Sequence, residues 1–213
     1  MTASIRVTDA SRLFCVGRNY ADHAREMGAE RPAQPVFFHK PGSVRQAPGT
    51  ARLPFHLGRL DFEGELALLL SGETERPIAG LGLAVDLTLR DEQSRLKAER
   101  LPWDVAKAFD GSALLGDFHE WHGLPGQLPP DLGLETWLNG ECRQRGTLVD
   151  MLFSPADLLP ALSRYWRPRA GDVVLTGTPA GVGPLAPGDV LEMKWRGLNA
   201  PEQEPRWRME AMQ

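Results

Sequence analysis

The run Leu60-Asp61-Phe62-Glu63-Gly64-Glu65-Leu66-Ala67-Leu68-Leu69-Leu70, residues 60–70, decides the fold. Its polar and apolar side chains alternate with a period of two, which belongs to an extended strand rather than a helix. Asp61, Glu63 and Glu65 share one face, and Phe62, Leu66 and Leu68 share the other. The acidic face runs on into Ala67 and Leu69, so its far end is expected to be buried. Residues 81–89 repeat the pattern: Leu81, Leu83, Val85, Leu87 and Leu89 form an unbroken apolar face. Opposite them lie Gly82, Ala84, Asp86 and Thr88, a carboxylate among small residues.

Two carboxylates about 7 Å apart along a strand and partly desolvated repel each other and are driven towards protonation. A divalent cation removes that penalty, and Asp86 supplies a third ligand beside Glu63 and Glu65. Oxygen-only donors imply a hard ion, Mg²⁺ first, with Mn²⁺ or Ca²⁺ as alternatives. The competing reading is an exposed edge strand with solvated acids.

The rest of the chain reads as further strands with few helices. Residues 13–16 form a short buried strand leading into Gly17-Arg18-Asn19-Tyr20, where Asn19 caps a short helix that ends at Gly28. Residues 36–38, 173–175 and 190–192 are strands, and residues 134–138 followed by Asn139-Gly140 form a hairpin. Helices are expected at 91–98 and after Ser154-Pro155, the latter with Leu158, Leu159, Leu162 and Tyr165 as its apolar face. Residues 101–132 read as loop-rich, and residues 198–213 as a polar C-terminal tail that frays. Strands outnumber helices without regular βαβ alternation, which predicts an α+β, β-rich fold of mixed sheets rather than a doubly wound one.

The 213 residues are 42% hydrophobic and 24% charged, which suits one catalytic domain over 1–213 and excludes a disordered or coiled-coil chain. Twenty-four cations against 28 acids give a net charge of −4, which argues against nucleic acid as a partner. No apolar run approaches the roughly 18 residues of a membrane span, and the N-terminus lacks a signal-peptide layout. Cys15 and Cys142 make neither a zinc pattern nor a disulfide framework. A reducing, cytoplasmic location is expected. Four lysines stand out by their scarcity: Lys40, Lys97, Lys107 and Lys194.

His23 and Glu26 stand three apart on the first short helix, on the same side. A glutamate bonded to an imidazole fixes its tautomer and raises its basicity, as a water-activating base requires. A surface pair is the alternative. His119 and His122 have no acid placed for a zinc motif. The glycine-rich stretch 176–183 lacks a P-loop lysine, but its amides and the Thr178 hydroxyl could approach a carboxylate.

Taken together and in order, VGRNYADHAREMG, PVFFHKPGS, LDFEGELALLLSG, GLAVDLTLRDEQ, PWDVAKAFDG, LNGECRQ, MLFSPADLL and GDVVLTGTPAGVGPLAPGD resemble the fumarylacetoacetate hydrolase family, in particular its short acylpyruvate- and fumarylpyruvate-cleaving members. The resemblance covers about residues 13–192. It implies a β-rich roll, usually a homodimer, with Glu63, Glu65 and Asp86 as metal ligands. It implies His23 and Glu26 as the water-activating dyad, on a segment that orders over substrate in relatives. Lys107 is implied as a catalytic lysine: three carboxylates and a divalent ion leave one negative charge for it to offset. Arg18, Gln93 and Thr178 are implied to contact the substrate, a small anionic keto acid.

The activity this implies is Mg²⁺-dependent hydrolysis of a C–C bond in a 2,4-diketo acid, releasing pyruvate through an enolate. Oxaloacetate decarboxylation and isomerisation of 2-hydroxyhepta-2,4-diene-1,7-dioate use the same enolate and are the alternatives. A non-catalytic, metal-dependent small-acid binding protein is the alternative of another class. Two departures from the family pattern stand out. Residues 109–117 follow the usual run after the lysine only in part. Asn199-Ala200-Pro201-Glu202 stands where many relatives have a closing strand.

Overall fold

In the computed structural model, residues 4–5, 12–26, 28, 30–198 and 204–212 are described. The largest sheet is mixed and eight-stranded. Its order is Ser4–Ile5, Ala113–Glu120, Ile78–Asp86, Gly64–Ser71, Ala170–Leu175, Arg12–Gly17 and Val36–Pro41, with Arg45–Gln46 beside Ala113–Glu120. A second sheet runs Glu141–Thr147, Gly133–Leu138, Val190–Arg196, Arg206–Ala211 and Gly49–Leu53. Gly183–Pro184, Leu60–Phe62 and Thr88–Leu89 make a small third sheet. The fold is the expected β-rich roll of curled sheets, with four short α-helices among the described residues.

The period-two reading holds across the two central strands. Leu66, Leu68 and Leu70 join Leu81, Leu83, Val85, Leu87 and Leu89 in the large core, which reaches Leu134, Leu191, Met193 and Trp207 of the second sheet. Ala67, Leu69 and Ala84 turn the other way, into a smaller cluster with Leu13, Cys15, Val173 and Leu175. Burying apolar side chains on both faces fixes the register, because a one-residue slip would exchange the faces. Phe118 lies across Gly82 so closely that a Cβ there would stand 2.7 Å from the ring. This small-residue face is where the acids emerge.

Several expectations are corrected. Residues 60–70 are two strands, Leu60–Phe62 and Gly64–Ser71, broken at Glu63, whose carbonyl accepts from the Asp86 N–H. The break carries Asp61 away from the other acids, onto Arg59 and Arg90. Residues 101–132 contain the helix Asp104–Lys107 and the strand Ala113–Glu120, hidden by flanking glycines and prolines. Asn19 caps no helix: its side chain bonds the Phe153 and Thr176 carbonyls and the Phe153 N–H, tying three segments together. Tyr165 lies beyond the helix Pro155–Ser163 and is exposed.

The polar tail is also corrected. Residues 199–202 fall among those not described, but Arg206–Ala211 is a closing strand between Val190–Arg196 and Gly49–Leu53. Its alternate residues Trp207 and Met209 are fully buried, and full burial of a side chain such as Met209 is worth about 2 kcal/mol. The hairpin forms as read, with Asn139 and Gly140 both at positive φ, the conformation of a type I′ turn. No helix among the described residues is long and apolar enough to cross a membrane.

Candidate metal centre and its pocket

Glu63 sits in the break between the two strands, Glu65 is the second residue of Gly64–Ser71, and Asp86 ends the neighbouring strand Ile78–Asp86. Antiparallel pairing sets Glu65 opposite Ala84 and Gly64 opposite Val85, which brings Asp86 alongside. One oxygen from each carboxylate lies within 4.8 Å of the others. Their exposures of 6%, 2% and 0% remove the solvated-edge reading.

Gly64 is what lets the two glutamates be held so firmly. A Cβ there would lie 2.0 Å from Thr136 Oγ1 of the second sheet. With none present, the Gly64 N–H donates to Gln144 Oε1 at 2.9 Å, and its carbonyl accepts from Thr178 Oγ1 at 2.8 Å. The backbone between the two acids is therefore pinned from the second sheet and from the glycine-rich loop.

The acids differ sharply in their partners. Glu63 accepts from Lys107 Nζ at 2.8 Å and Arg90 Nη2 at 2.6 Å. Burial opposes its ionisation, but Lys107 and then Arg90 hold its carboxyl well below the usual range. Glu65 has the Gly177 N–H at 2.6 Å and no side-chain cation among the described residues. Burial first, then Asp86 and Glu63, push it well above the usual range. Asp86 Oδ2 accepts from Lys107 at 2.9 Å. Lys40 Nζ lies 2.8 Å from Asp86 Oδ1, an ion-pair contact without hydrogen-bond alignment, so that oxygen keeps a free lone pair. A buried carboxylate with no side-chain cation among the described residues, beside a carboxylate oxygen that accepts no hydrogen bond, fits a hard divalent ion.

Lys107 ends the short helix Asp104–Lys107 and also donates to Thr88 Oγ1 at 2.6 Å. Burial works against its charge, yet Asp86 and Glu63 raise its pKa and keep it an ammonium. Arg90 opens the helix Arg90–Glu99 and spreads its guanidinium over Asp61, Glu63 and Gln93. Reading the sequence missed Arg90, although its place four residues after Asp86 was visible. The charge balance is thereby revised, since Lys107 shares the acids with Arg90 and Lys40.

Lys40 was singled out only by rarity, and the structure gives it a place. It is fully buried, and besides Asp86 its ammonium donates to the carbonyls of Ser112, Leu87 and Lys107. Lys40→Met strands Asp86 Oδ1 and three carbonyls together. The expected loss is about 3–5 kcal/mol of stability, the usual effect of breaking a buried ion pair. Lys40→Arg should not restore it, because a planar fork cannot reach the same four oxygens. Denaturant midpoints check this, and a loss below 1 kcal/mol for Lys40→Met would contradict it.

His23 and Glu26 lie on the helix Ala21–Glu26. His23 is buried, with Nδ1 3.3 Å from Glu26 Oε2, and the Gly181 N–H holds that carboxylate at 3.2 Å. The proton on Nδ1 leaves the lone pair on Nε2. His23, Arg18, Gln93, Thr178, Lys107, Glu63 and Glu65 all line one narrow pocket of about 40 Å³, floored by Arg90 and walled by Phe38 and Trp103. The sequence-chosen residues are thus brought together, Asp86 lying just beneath the pocket. The Thr178 hydroxyl spends its one hydrogen on Gly64 and accepts from Gln144 Nε2 at 2.7 Å, so it braces the loop. Of the amides in this glycine-rich stretch, that of Gly177 donates to Glu65.

A strand-rich roll whose strand break gathers three buried carboxylates beside a pocket lined by a lysine and a histidine defines a class of protein with the donors for an oxygen-ligated cation. The chain belongs to the fumarylacetoacetate hydrolase family: the model of the fumarylacetoacetate (FAA) hydrolase C-terminal domain matches residues 12–204. Oxaloacetate tautomerase YcgM of Escherichia coli (strain K12) is 41% identical over 199 residues, covering 88% of this chain and 89% of the relative. The mitochondrial oxaloacetate decarboxylase of Dictyostelium discoideum is 36% identical over 206 residues, covering 90% and 92%. Among solved structures, fumarylpyruvate hydrolase from Pseudomonas aeruginosa in complex with Mn²⁺ and pyruvate superposes with a TM-score of 0.83 at 31% identity, covering 99% and 97%. The family contains hydrolases, isomerases and decarboxylases.

Proposed function

We propose that this chain is one catalytic unit, a divalent-metal-dependent enzyme that interconverts the enol and keto forms of oxaloacetate. The observation that carries the reading is the meeting of Glu63, Glu65 and Asp86 with Lys107 and a Glu26-oriented His23 at one pocket. Bound by the three acids, Mg²⁺ or Mn²⁺ would supply the Lewis-acid charge that steadies an enolate. His23 Nε2 takes the proton from C3 of the keto acid and the C2 oxygen takes one from water, both transfers running backwards in ketonisation, while Glu26 holds the ring in the required tautomer. Lys107, whose three N–H groups are held by Glu63, Asp86 and Thr88, sets its positive charge beside the oxygen on which negative charge grows. Arg90, Gln93 and Arg18 offer donors to the substrate's oxygens. The tautomerase and decarboxylase relatives support oxaloacetate as the substrate.

A second reading is C–C hydrolysis of a fumarylpyruvate or other acylpyruvate, releasing pyruvate. It is favoured by the Mn²⁺- and pyruvate-bound hydrolase neighbour and by the dyad, which suits activation of water. In the test, enolic oxaloacetate is followed as it ketonises, with the protein plus Mg²⁺ and again with chelator, beside pyruvate release from fumarylpyruvate and acetylpyruvate. The expected result is chelator-sensitive ketonisation faster than the uncatalysed rate. Pyruvate release without accelerated ketonisation would put hydrolysis in its place. Rates unaffected by thorough chelation would reject the metal chemistry.

A further inference from the structure

We infer that Lys97, together with Arg18, receives a second carboxylate on the substrate, so that the pocket selects dianionic 2-keto acids over those with a neutral tail. The inference rests on the keto-acid reading above and names the substrate class within it.

Arg90, Gln93 and Lys97 stand at i, i+3 and i+7 of the helix Arg90–Glu99 and so share one face. That face lines the pocket. Gln93 Oε1 accepts from Arg90 Nη1 at 2.8 Å and from Lys97 Nζ at 3.2 Å, forming a polar chain from the carboxylates to the outer lysine. Long helical side chains lean towards the N-terminus, which brings the Lys97 ammonium back over Gln93 and towards the reacting end. Its stem and charge rest against Trp103, with Nζ 5.4 Å from the ring centroid.

Lys97 and Arg18 differ from the pocket's other cations in having no carboxylate partner among the described residues. Lys107 and Arg90 are spent on Glu63, Asp86 and Asp61. Arg18, half-buried, is held at a φ of +60°, a strained conformation for a residue with a side chain. Burial first, then Arg90 and Arg18, push the Lys97 amine down to about 8. Two unpaired cations in a partly desolvated pocket favour an anion. The charge balance agrees: Glu63, Glu65 and Asp86 are matched by Lys40, Lys107 and Arg90. Lys97 and Arg18 then add two positive charges without a carboxylate partner among the described residues, and a divalent ion adds two more, which favours a dicarboxylate over a monocarboxylate.

Oxaloacetate and 2-ketobutyrate make the test pair. They share four carbons and the 2-keto acid head, and differ at C4 by a carboxylate against a methyl group. Dissociation constants are measured by calorimetry at Mn²⁺ saturation for the wild-type protein, Lys97→Met and Lys97→Arg. The wild type should bind oxaloacetate about tenfold tighter or more, the range of a charged hydrogen bond. Lys97→Met should bring the two constants together by weakening oxaloacetate alone, and Lys97→Arg should keep most of the difference. A preference that survives Lys97→Met, or an equal loss for both ligands, overturns the inference while leaving the keto-acid reading standing. Failure of the wild type to bind either ligand overturns both.

Discussion

Glu65→Gln will leave the protein folded and abolish its response to divalent cations. Burial first, then the neighbouring Asp86 and Glu63, disfavour the ionisation of Glu65, which has no side-chain cation in ion-pair contact among the described residues. Glutamine is isosteric, and its carbonyl can still accept the Gly177 N–H. Removing the charge relieves repulsion, so the metal-free variant should be at least as stable as the metal-free wild type. The loss falls on the metal. A direct ligand is removed, and the expected loss of affinity exceeds the roughly 10–100-fold typical of residues one shell further out. Thermal midpoints with and without Mn²⁺ separate the two effects. At a hundredfold excess over Kd the ion should stabilise the wild type by about 2.7 kcal/mol and the variant by almost nothing. An unchanged Mn²⁺-induced shift would remove Glu65 from the ligand set.

His23→Gln should lower kcat by roughly 10²–10⁴, the usual contribution of a positioned proton-transfer group, while Mn²⁺ binding stays as in the wild type. His23 is buried against the pocket, and Glu26, itself held by the Gly181 N–H, orients its ring. Glu26→Gln keeps an acceptor for Nδ1–H but loses the charge that raises the ring's basicity, so its loss should be smaller. The two variants are compared by steady-state rates of oxaloacetate ketonisation at saturating metal. A His23→Gln enzyme within tenfold of wild type would mean that another group moves the proton. A loss traced to weakened metal binding would mean that His23 acts through the acids.

How far the sequence discloses this site depends on whether a residue's partners lie along its own strand. Glu63, Glu65 and Asp86 are legible because alternation along two adjacent strands puts them on a common small-residue face. Helical spacing puts His23 and Glu26 on one side but leaves a plain surface pair open, and only the family resemblance singles them out. Lys40 is not legible, because three of its partners are backbone carbonyls at 87, 107 and 112, donated by chain turns that no local pattern reveals. Arg90 is hidden differently: it lies just outside the helix expected at 91–98, and only the break at Glu63 shows it bridging Asp61 and Glu63. The strand Arg206–Ala211 was legible and misread. Its Trp207 and Met209 alternate with Arg206, Arg208 and Glu210, the signature of a half-buried strand rather than of a frayed tail.

That strand also sets a clock on biosynthesis. It pairs in parallel with Gly49–Leu53, a partner made roughly 150 residues earlier, or about 8–30 seconds at ordinary rates of synthesis. The pairing of Leu13 with Val173 imposes nearly the same wait on the larger sheet. Until both are made, Gly49–Leu53 lacks its partner among the described strands and Arg12–Gly17 is paired on one side only, and unpaired edges recruit other chains. Contacts so distant along the chain make for slow folding, so the emerging polypeptide should depend on chaperones during this interval and aggregate more readily when translation stalls late in the message.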